Sequence, residues 1–306
     1  MSPTLHDDEV PLDEGVIRDL LREQSPWWAD LPLAPAGSGT DNSLYRLGDD
    51  LVLRLPRTPG TARDVAKEQR WLPVLAPHLP VAVPQPVHHG HPGQGYPLPW
   101  SVYRWIEGDE VADDTVADWE RLGRDLAHLV AALHAVNLGG APPQDGLSWY
   151  RGGPLLELDD WVRRCLADCR ALRASDWLDL DVDRLQDVWA AALALPDPEP
   201  RTVWMHGDLK PSNLLVRDGR LVAVIDFGGL SIGVPDAEHA PQWDLPGSAR
   251  EAYRAVLGLD DATWQRARAW AVAVGVSGVP YYWHTRPEFV HECLRRLGTV
   301  LADAEV

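Results

Sequence analysis

Two short stretches decide the fold: His206-Gly-Asp-Leu-Lys-Pro-Ser-Asn213 and, thirteen residues later, Asp226-Phe-Gly228. Apolar residues at 202–205 predict a strand that leads into the first stretch. Two further apolar runs, at 214–216 and 221–225, flank a turn and predict a β-hairpin that ends where the second stretch begins. We therefore expect three oxygen-bearing side chains to converge at one mouth, those of Asp208, Asn213 and Asp226.

Three such side chains suit phosphoryl transfer. One carboxylate, that of Asp208, would orient an attacking hydroxyl and accept its proton. Asn213 and Asp226 would hold Mg²⁺ against the β- and γ-phosphates of a nucleoside triphosphate, because Mg²⁺ prefers a few protein oxygens completed by water and phosphate. The spacing therefore predicts a Mg²⁺-dependent phosphotransferase that uses ATP or GTP.

The two stretches resemble the catalytic loop and the metal-binding Asp-Phe-Gly of the protein-kinase-like superfamily. The His-Gly-Asp form, with Gly207 where protein kinases carry arginine, is similar to the aminoglycoside phosphotransferase family. After Gly228 neither a long activation segment nor an Ala-Pro-Glu signature follows, so a protein substrate is not expected. The resemblance implies that Lys210 neutralises the transferred phosphoryl group and that His206 is a structural residue of the loop.

The segment after Asp-Phe-Gly departs from the family pattern. The family usually continues with Gly-Asp-Pro-Ala-x-Asp-Leu, whereas this chain reads Gly233-Val-Pro-Asp-Ala-Glu-His239. Val234 replaces the first acid, and Glu238 stands near the second, which usually supports the catalytic loop from below. Either Glu238 supports the loop with its longer arm, or the loop is looser and activity is lower.

The N-terminal third resembles the nucleotide-binding lobe of a subgroup that also includes macrolide kinases. The resemblance rests on Asp41-Asn-Ser-Leu-Tyr-Arg46 followed by Leu51-Val-Leu-Arg-Leu-Pro-Arg57. It implies that backbone amides of a loop cover the nucleotide phosphates. The residues of that loop are Ser38, Gly39, Thr40, Asp41 and Asn42.

The same resemblance implies an ion pair and a hinge. Arg54 takes the place of the usual phosphate-binding lysine on the third strand, and guanidinium can bind phosphate oxygens in its stead. Glu68 on the next helix would be its partner, and the alternative is an inconsequential surface ion pair. Backbone atoms near Arg104 and Ile106 would bind the adenine ring.

Hydrophobic periodicity places helices at 13–24, 62–75, 119–136, 156–172 and 182–195. Residues 35–42 are predicted as a loop, and strands are predicted at 44–47, 51–55, 85–89 and 100–105. The pattern predicts an α+β fold, with a small N-terminal antiparallel β-sheet lobe carrying one main helix and a larger, mainly helical C-terminal lobe. The resemblance implies that this is the bilobal protein-kinase-like fold. Residues 1–107 would bind the nucleotide, with a hinge at about 102–108, and residues 108–306 would bind the substrate and catalyse.

The composition of the chain indicates which classes of molecule it can bind. The 306 residues carry a formal net charge of −18, which disfavours nucleic acid and anionic lipid and favours a small cationic substrate. The N-terminus lacks the features of a signal peptide and no apolar run is long enough to cross a membrane, so we expect a cytoplasmic monomer or homodimer. The three cysteines are expected to be reduced, buried small hydrophobes.

The sequence supports two opposite predictions about the residues that bind the substrate. Carboxylates in the C-terminal part would recognise a polyamine, and the candidates are Asp159, Asp160, Asp236, Asp244, Glu288 and Glu292. Aromatic residues of the same region would instead line an apolar pocket, and these are Trp243, Tyr281, Tyr282 and Trp283.

Three functional hypotheses follow. The first is an aminoglycoside-type O-phosphotransferase, and the second is a kinase of a macrolide, a peptide antibiotic or another small hydroxylated metabolite. The third is a nucleotide-binding pseudokinase that regulates or scaffolds. The presence of Asp208, Asn213 and Asp226 together weighs against the third.

Overall fold

The computed structural model describes residues 8–38, 41–140, 146–176, 178–198 and 201–303. Gly39 and Thr40, two residues of the predicted phosphate loop, lie outside the described residues. Five antiparallel strands form the N-terminal sheet in the order β1-β2-β3-β5-β4. Their bounds are β1 (Leu33–Ser38), β2 (Asn42–Leu47), β3 (Leu51–Pro56), β4 (Pro86–Gly90) and β5 (Trp100–Arg104).

One face of this sheet packs against the first helix, α1 (Glu14–Gln24), which Asp13 caps by accepting a hydrogen bond from the Val16 amide. Alternate residues of β3 are buried, as period-2 patterning requires. They join the buried stripe of α1 in one core that includes Ile17, Leu20, Leu21, Leu53 and Leu55. The helix predicted at 62–75 is present as α2 (Ala62–Leu75).

The prediction of a loop from residue 35 is wrong up to residue 38, because β1 runs through Pro35 and Gly37 to Ser38. β1 is an edge strand that pairs only with β2, so a proline without an N–H is tolerated there. The pairing shifts register between Pro35 and Ser38, where Gly37 has a φ of 112°. Turn-forming residues therefore mark an irregular strand edge here.

The C-terminal part is mainly helical. Its helices are α3 (Trp119–Ala135), α4 (Asp159–Asp176), α5 (Val182–Leu193), α6 (Gly247–Leu257), α7 (Asp261–Tyr282) and α8 (Pro287–Asp303). α7 packs against α4, α5 and α8 around a large apolar core that contains the three cysteines, all reduced and buried as predicted. α3 approaches α6 so closely that a Cβ on Gly123 would lie 2.1 Å from the Ala249 carbonyl oxygen.

Short strands within this helical part position the catalytic segments. β7 (Val203–Met205) pairs with β10 (Ser231–Gly233), and β8 (Leu214–Arg217) and β9 (Arg220–Val224) form the predicted hairpin. β6 (Asp109–Glu110) pairs with β8. The segments before and after the hairpin therefore emerge on the side of the molecule that faces the N-terminal sheet.

The two parts are joined by backbone and core contacts. The Ala82 amide donates to the Val222 carbonyl and the Val224 amide donates to the Ala82 carbonyl, at 2.9 and 3.0 Å. Trp71 and Tyr103 belong to the same apolar core as Leu214. The division at residue 107 remains a prediction. Among the described residues, no helix combines the length and apolar character needed to cross a bilayer.

Candidate active site

The catalytic loop is tied to the hairpin through the imidazole of His206. Buried strand β7 delivers His206, whose Nδ1 accepts the Asp208 amide hydrogen at 3.1 Å. The proton therefore lies on Nε2, which donates to the Ile225 carbonyl at 3.0 Å. Burial lowers the pKa of His206, which keeps the ring neutral. Both ring nitrogens of His206 therefore form hydrogen bonds that hold the loop, in line with the structural role predicted from the sequence.

Asp208 and Asn213 are in direct contact. The Asn213 amide nitrogen donates to the Asp208 carbonyl at 2.8 Å and to its Oδ2 at 3.2 Å. The amide oxygen of Asn213, Oδ1, is thus left as a ligand atom for a cation. The Asp208 side chain is 29% exposed and faces the cleft. Burial by itself would raise the pKa of Asp208, but Arg151 and Lys210 outweigh it and lower that pKa to about 2.

Asp226 stands at the end of the hairpin, next to this loop. The Ile225 amide donates to the Asn213 carbonyl at 2.9 Å, which ties the two segments together. Asp226 has a φ of 63°, a left-handed conformation that aspartate tolerates, and its side chain is 46% exposed. Its Oδ1 accepts from Arg54 at 2.6 Å, so Oδ2 remains for another ligand.

These oxygens fit a shared Mg²⁺ site. The described residues contain no group of three or more His, Cys, Asp or Glu side chains that would enclose a metal by themselves. One amide oxygen from Asn213 and one carboxylate oxygen from Asp226 suit a Mg²⁺ ion whose other ligands are water and nucleotide phosphates. Mg²⁺ at Asn213 and Asp226 remains a prediction for which these oxygens are chemically suited.

Arg54 links the nucleotide-binding lobe to Asp226. Its Nη1 donates to Glu68 at 2.6 Å, and Glu68, only 1% exposed, also accepts from the Tyr103 hydroxyl at 2.6 Å. With its amide in the orientation that satisfies these neighbours, Asn42 accepts from Arg54 Nε at 3.1 Å. Burial would lower the pKa of Arg54, but Glu68 and Asp226 outweigh it and raise the pKa. The pair predicted from sequence is thus a buried network rather than a surface ion pair.

Arg54→Met is expected to lower the free energy of unfolding by about 3–5 kcal/mol, because it leaves the Glu68 carboxylate buried without its cation. Arg54→Lys keeps the charge and is expected to cost less. The measurement is urea unfolding followed by fluorescence. Arg22→Met is the matched control, since it breaks an exposed ion pair with Asp19 and is expected to cost at most about 1 kcal/mol. Equal losses in the Arg54→Met and Arg22→Met variants would contradict the prediction.

Glu238 supports the catalytic loop in place of the usual aspartate. Its Oε1 accepts the His206 amide hydrogen at 2.8 Å and its Oε2 accepts that of Gly207 at 2.7 Å. Glu238 lies in a 3₁₀ segment (Pro235–Asp244) and is fully buried. Burial raises the pKa of Glu238 to about 7, against the opposing effect of the two amides. The longer side chain therefore reaches the loop backbone.

Glu238→Gln is expected to lower the free energy of unfolding by about 2 kcal/mol, because an amide nitrogen would face one of the two backbone donors. The pKa of Glu238 in the folded state, about 7, lies above the ordinary glutamate value of 4.5, so ionisation of Glu238 opposes folding as pH rises between these values. The loss on substitution should thus be larger at pH 5 than at pH 8. Urea unfolding at both pH values measures it, and a pH-independent loss would contradict the assignment.

The predicted hinge residues lie beside the cleft lining rather than in it. The Arg104 amide donates to the Gln85 carbonyl at 2.9 Å and the Trp105 amide to the Asp50 carbonyl at 2.8 Å. Among the described residues, no backbone acceptor engages the Ile106 amide. The Ile106 N–H is therefore a donor that a purine edge could meet, while adenine binding at Arg104 and Ile106 remains a prediction.

A cleft of about 880 Å³ opens between the lobes around these groups. Cationic side chains line it, namely those of Arg54, Arg63, Lys67, Arg151, Lys210 and Arg296. Aromatic side chains also line it, namely those of Trp149, Tyr150, Trp161, Tyr281, Tyr282 and Phe289. Lys210 Nζ lies 5.6 Å from the Phe289 ring centroid, so this cation lies beside the aromatic part of the lining. Asp41 and Asn42 line the side of the cleft where the nucleotide is predicted to bind.

None of the six carboxylates predicted to recognise a polyamine lines this cleft. Asp236 and Asp244 are buried in ion pairs with Arg266 and Arg296, and Asp159 accepts from Trp189. Arg266 and Arg296 therefore already occupy the carboxylates of Asp236 and Asp244. Of the predicted aromatic residues, Tyr281 and Tyr282 line the cleft, whereas Trp243 is buried in the core and Trp283 packs at its margin.

The sequence analysis missed four residues that contact the site. Lys67 donates to the Gly228 carbonyl, beside Asp226, and pairs with Asp64 at 3.0 Å. Trp149, Tyr150 and Arg151 reach the catalytic loop from a short 3₁₀ segment far upstream. The available signal in the sequence was an aromatic pair followed by arginine, with a glycine before and after this stretch. Nothing in its distance along the chain relates it to residue 208.

Taken together, the antiparallel sheet, the helical lobe and the loop–hairpin site define a protein-kinase-like phosphotransferase acting on small molecules. The family described as the phosphotransferase enzyme family, APH, matches residues 32–270, and the chain belongs to this family. An aminoglycoside 3'-phosphotransferase of Staphylococcus aureus is 29% identical over 198 residues, which cover 60% of this chain and 68% of that protein.

Solved structures share the fold over nearly the whole chain. The GDP complex of an aminoglycoside 2'-phosphotransferase-IIIa superposes with a TM-score of 0.73 at 22% identity, covering 96% of this chain and 100% of that one. A macrolide 2'-phosphotransferase from Brachybacterium faecium superposes with a TM-score of 0.60 at 25% identity, covering 95% and 98%. The protein-kinase-like fold predicted from the sequence is confirmed.

Proposed function

We propose that this protein transfers the γ-phosphoryl group of ATP or GTP to a hydroxyl of an aminoglycoside-type antibiotic. The observation that carries the proposal is that Asp208 and Asp226 line one cleft together with Arg54, and that Asn213 contacts the Asp208 carboxylate. A regulatory pseudokinase would not need an acid positioned for a hydroxyl beside two oxygen donors for a metal. Here all three positions are occupied by competent residues.

Each residue has a distinct role in this reaction. Asp208 orients the acceptor hydroxyl, and its Oδ2 accepts the proton as the oxygen–phosphorus bond forms. Asn213 and Asp226 would hold Mg²⁺, which when bound neutralises charge on the phosphates. Arg54 binds nucleotide phosphate oxygens, and Lys210 offsets charge on the phosphoryl group in transit. Backbone amides of residues 38–42 would cover the phosphates.

Two properties of the chain support an aminoglycoside acceptor. The relatives include aminoglycoside phosphotransferases, and a net charge of −18 raises the local concentration of polycations. Aromatic faces in the cleft suit both sugar rings and ammonium groups, since a cation is attracted to the π-face. The exposed carboxylate of Asp168 lies on the same lining.

One observation favours a second acceptor class. Six aromatic side chains line the cleft, while the predicted acids are outside it. A bulky, largely apolar hydroxylated compound such as a macrolide would bury more of this surface than a polyamine would. The similarity to a macrolide 2'-phosphotransferase agrees with this alternative.

The test is incubation with Mg²⁺, either ATP or GTP, and a panel of aminoglycosides and macrolides. Mass spectrometry should show a product heavier by one phosphate group, formed by the wild type and not by Asp208→Asn. Phosphorylation confined to macrolides would select the second acceptor class. Absence of any phosphorylated product from a protein that binds Mg²⁺–nucleotide would overturn the proposal in favour of a pseudokinase.

The same proposal includes a cytoplasmic location, where nucleoside triphosphates are present, and a monomer or homodimer. Cell fractionation tests the location, and light scattering after size-exclusion chromatography measures the mass in solution. A larger assembly would contradict the second part.

A further inference from the structure

Gly207 lies where the resemblance to protein kinases places an arginine, and the structure shows why no side chain fits there. Gly207 has a φ of 83°, a conformation that L-residues rarely adopt. A Cβ at this position would lie 2.6 Å from the Trp149 ring and 2.7 Å from the Gly229 carbonyl oxygen. The same ring packs on Gly229, so the Trp149 side chain contacts both the catalytic loop and the Asp-Phe-Gly segment.

Arg151, two residues after Trp149, brings a guanidinium to the loop from outside it. Its Nη1 donates to Asp208 Oδ1 at 2.9 Å and also to the Gly207 carbonyl. The guanidinium lies over the Trp149 ring, 4.5 Å from its centroid, and Nε donates to the Tyr150 hydroxyl at 3.0 Å. The side chain is 13% exposed. These contacts hold the guanidinium in one orientation against Asp208.

We propose that Arg151 is the positioning residue for Asp208: it supplies, from a separate segment, a guanidinium that holds one carboxylate oxygen and leaves the other for the acceptor. Oδ1 is bound by Arg151, while Oδ2 contacts Asn213 and faces the cleft. The acceptor proton therefore goes to Oδ2. This inference rests on the proposed function, because it assigns Asp208 the role of base.

The contacts of the Asp208 carboxylate predict the consequence of removing Arg151. Arg151 donates to Oδ1 at 2.9 Å, and Asn213 donates to Oδ2 at 3.2 Å. Without Arg151, Oδ1 loses this donor, so the carboxylate should lose its fixed orientation toward the acceptor.

The test compares Arg151→Met and Arg151→Lys with the wild type by single-turnover phosphoryl transfer at pH 8 and by nucleotide titration. For Arg151→Met we expect a loss of about 10- to 100-fold in the transfer rate, the scale of a misplaced catalytic group. We also expect a nucleotide affinity within about threefold of wild type, because the lost contact is to Asp208 and not to the nucleotide. Arg151→Lys should recover part of the lost rate. Arg170→Met, at an exposed pair with Asp183, is the control and should leave the rate unchanged.

Added guanidinium at millimolar concentration should partly rescue Arg151→Met and should not affect Arg170→Met. An unchanged rate in Arg151→Met would overturn the inference, and so would a loss that neither added guanidinium nor Arg151→Lys relieves, because a purely structural role predicts no such rescue. Arg151→Lys, which keeps the charge, provides a folded variant if Arg151→Met is unstable. Absence of any phosphoryl transfer by the wild type would instead refute the proposed function, so the two failures are distinguishable.

Discussion

Asp208→Asn is expected to lower the rate of phosphoryl transfer by about 10²- to 10⁴-fold while leaving nucleotide affinity nearly unchanged. Asparagine retains the size of the side chain, and its single side-chain oxygen can still accept from Arg151. It cannot accept the proton of the acceptor hydroxyl. The loss should therefore appear in kcat rather than in the nucleotide KM, which steady-state kinetics with the preferred acceptor measures directly.

Asp183→Asn is the matched control for this variant. Asp183 is an exposed aspartate of α5, paired with Arg170 and outside the cleft lining. It should keep wild-type kinetics. If Asp208→Asn retained full turnover with an unchanged nucleotide KM, another group would have to be the base and the assigned chemistry would be wrong.

Asp226→Asn is expected to abolish the Mg²⁺-dependent part of nucleotide binding and to lower turnover by about 10³-fold or more. Metal-assisted charge stabilisation is worth several kcal/mol in the transition state, and each 1.36 kcal/mol is tenfold in rate. Asparagine tolerates the left-handed backbone at this position, so the hairpin should remain folded. Nucleotide titrations by calorimetry, with Mg²⁺ and with EDTA, measure the coupling between metal and nucleotide.

Asp218→Asn provides a close control, because Asp218 lies in the turn at the other end of the same hairpin and also has a positive φ, of 52°. It should bind Mg²⁺–nucleotide like the wild type. The two variants separate backbone effects in the hairpin from loss of a metal ligand. Mg²⁺-dependent affinity that survives in Asp226→Asn at the wild-type level would contradict the role of Asp226.

Much of the site was predictable because its parts are local in sequence. A strand, a tight loop and a hairpin are neighbours along the chain, so their spacing alone brings the Asn213 and Ile225 backbones within hydrogen-bond distance. The periodic helices α1 and α2 were also predicted, α1 to within one residue of its start. The resemblance placed the partner of Arg54 on this helix as Glu68, and Glu68 occupies a buried position of α2.

The acceptor side of the cleft was not predictable in the same way. A count of acids in the C-terminal part cannot show that Asp236 and Asp244 face arginines 30 and 52 residues away. Those pairings depend on how α7 and α8 pack on the 3₁₀ segment. The edge strand β1 was missed for a related reason, because its proline and glycine are tolerated only where no second strand pairs.

The sequence by itself determined the class of chemistry, since Asp208, Asn213 and Asp226 lie on consecutive elements that can fold in only a few ways. It also indicated that Arg54 replaces lysine. Only the tertiary structure decided that Glu238 reaches two loop amides, that Arg151 holds Asp208, and that the cleft is lined by aromatic side chains rather than by the predicted acids. The physical reason is distance along the chain: local spacing specifies hydrogen bonds within a loop, whereas contacts between remote segments depend on how the lobes pack.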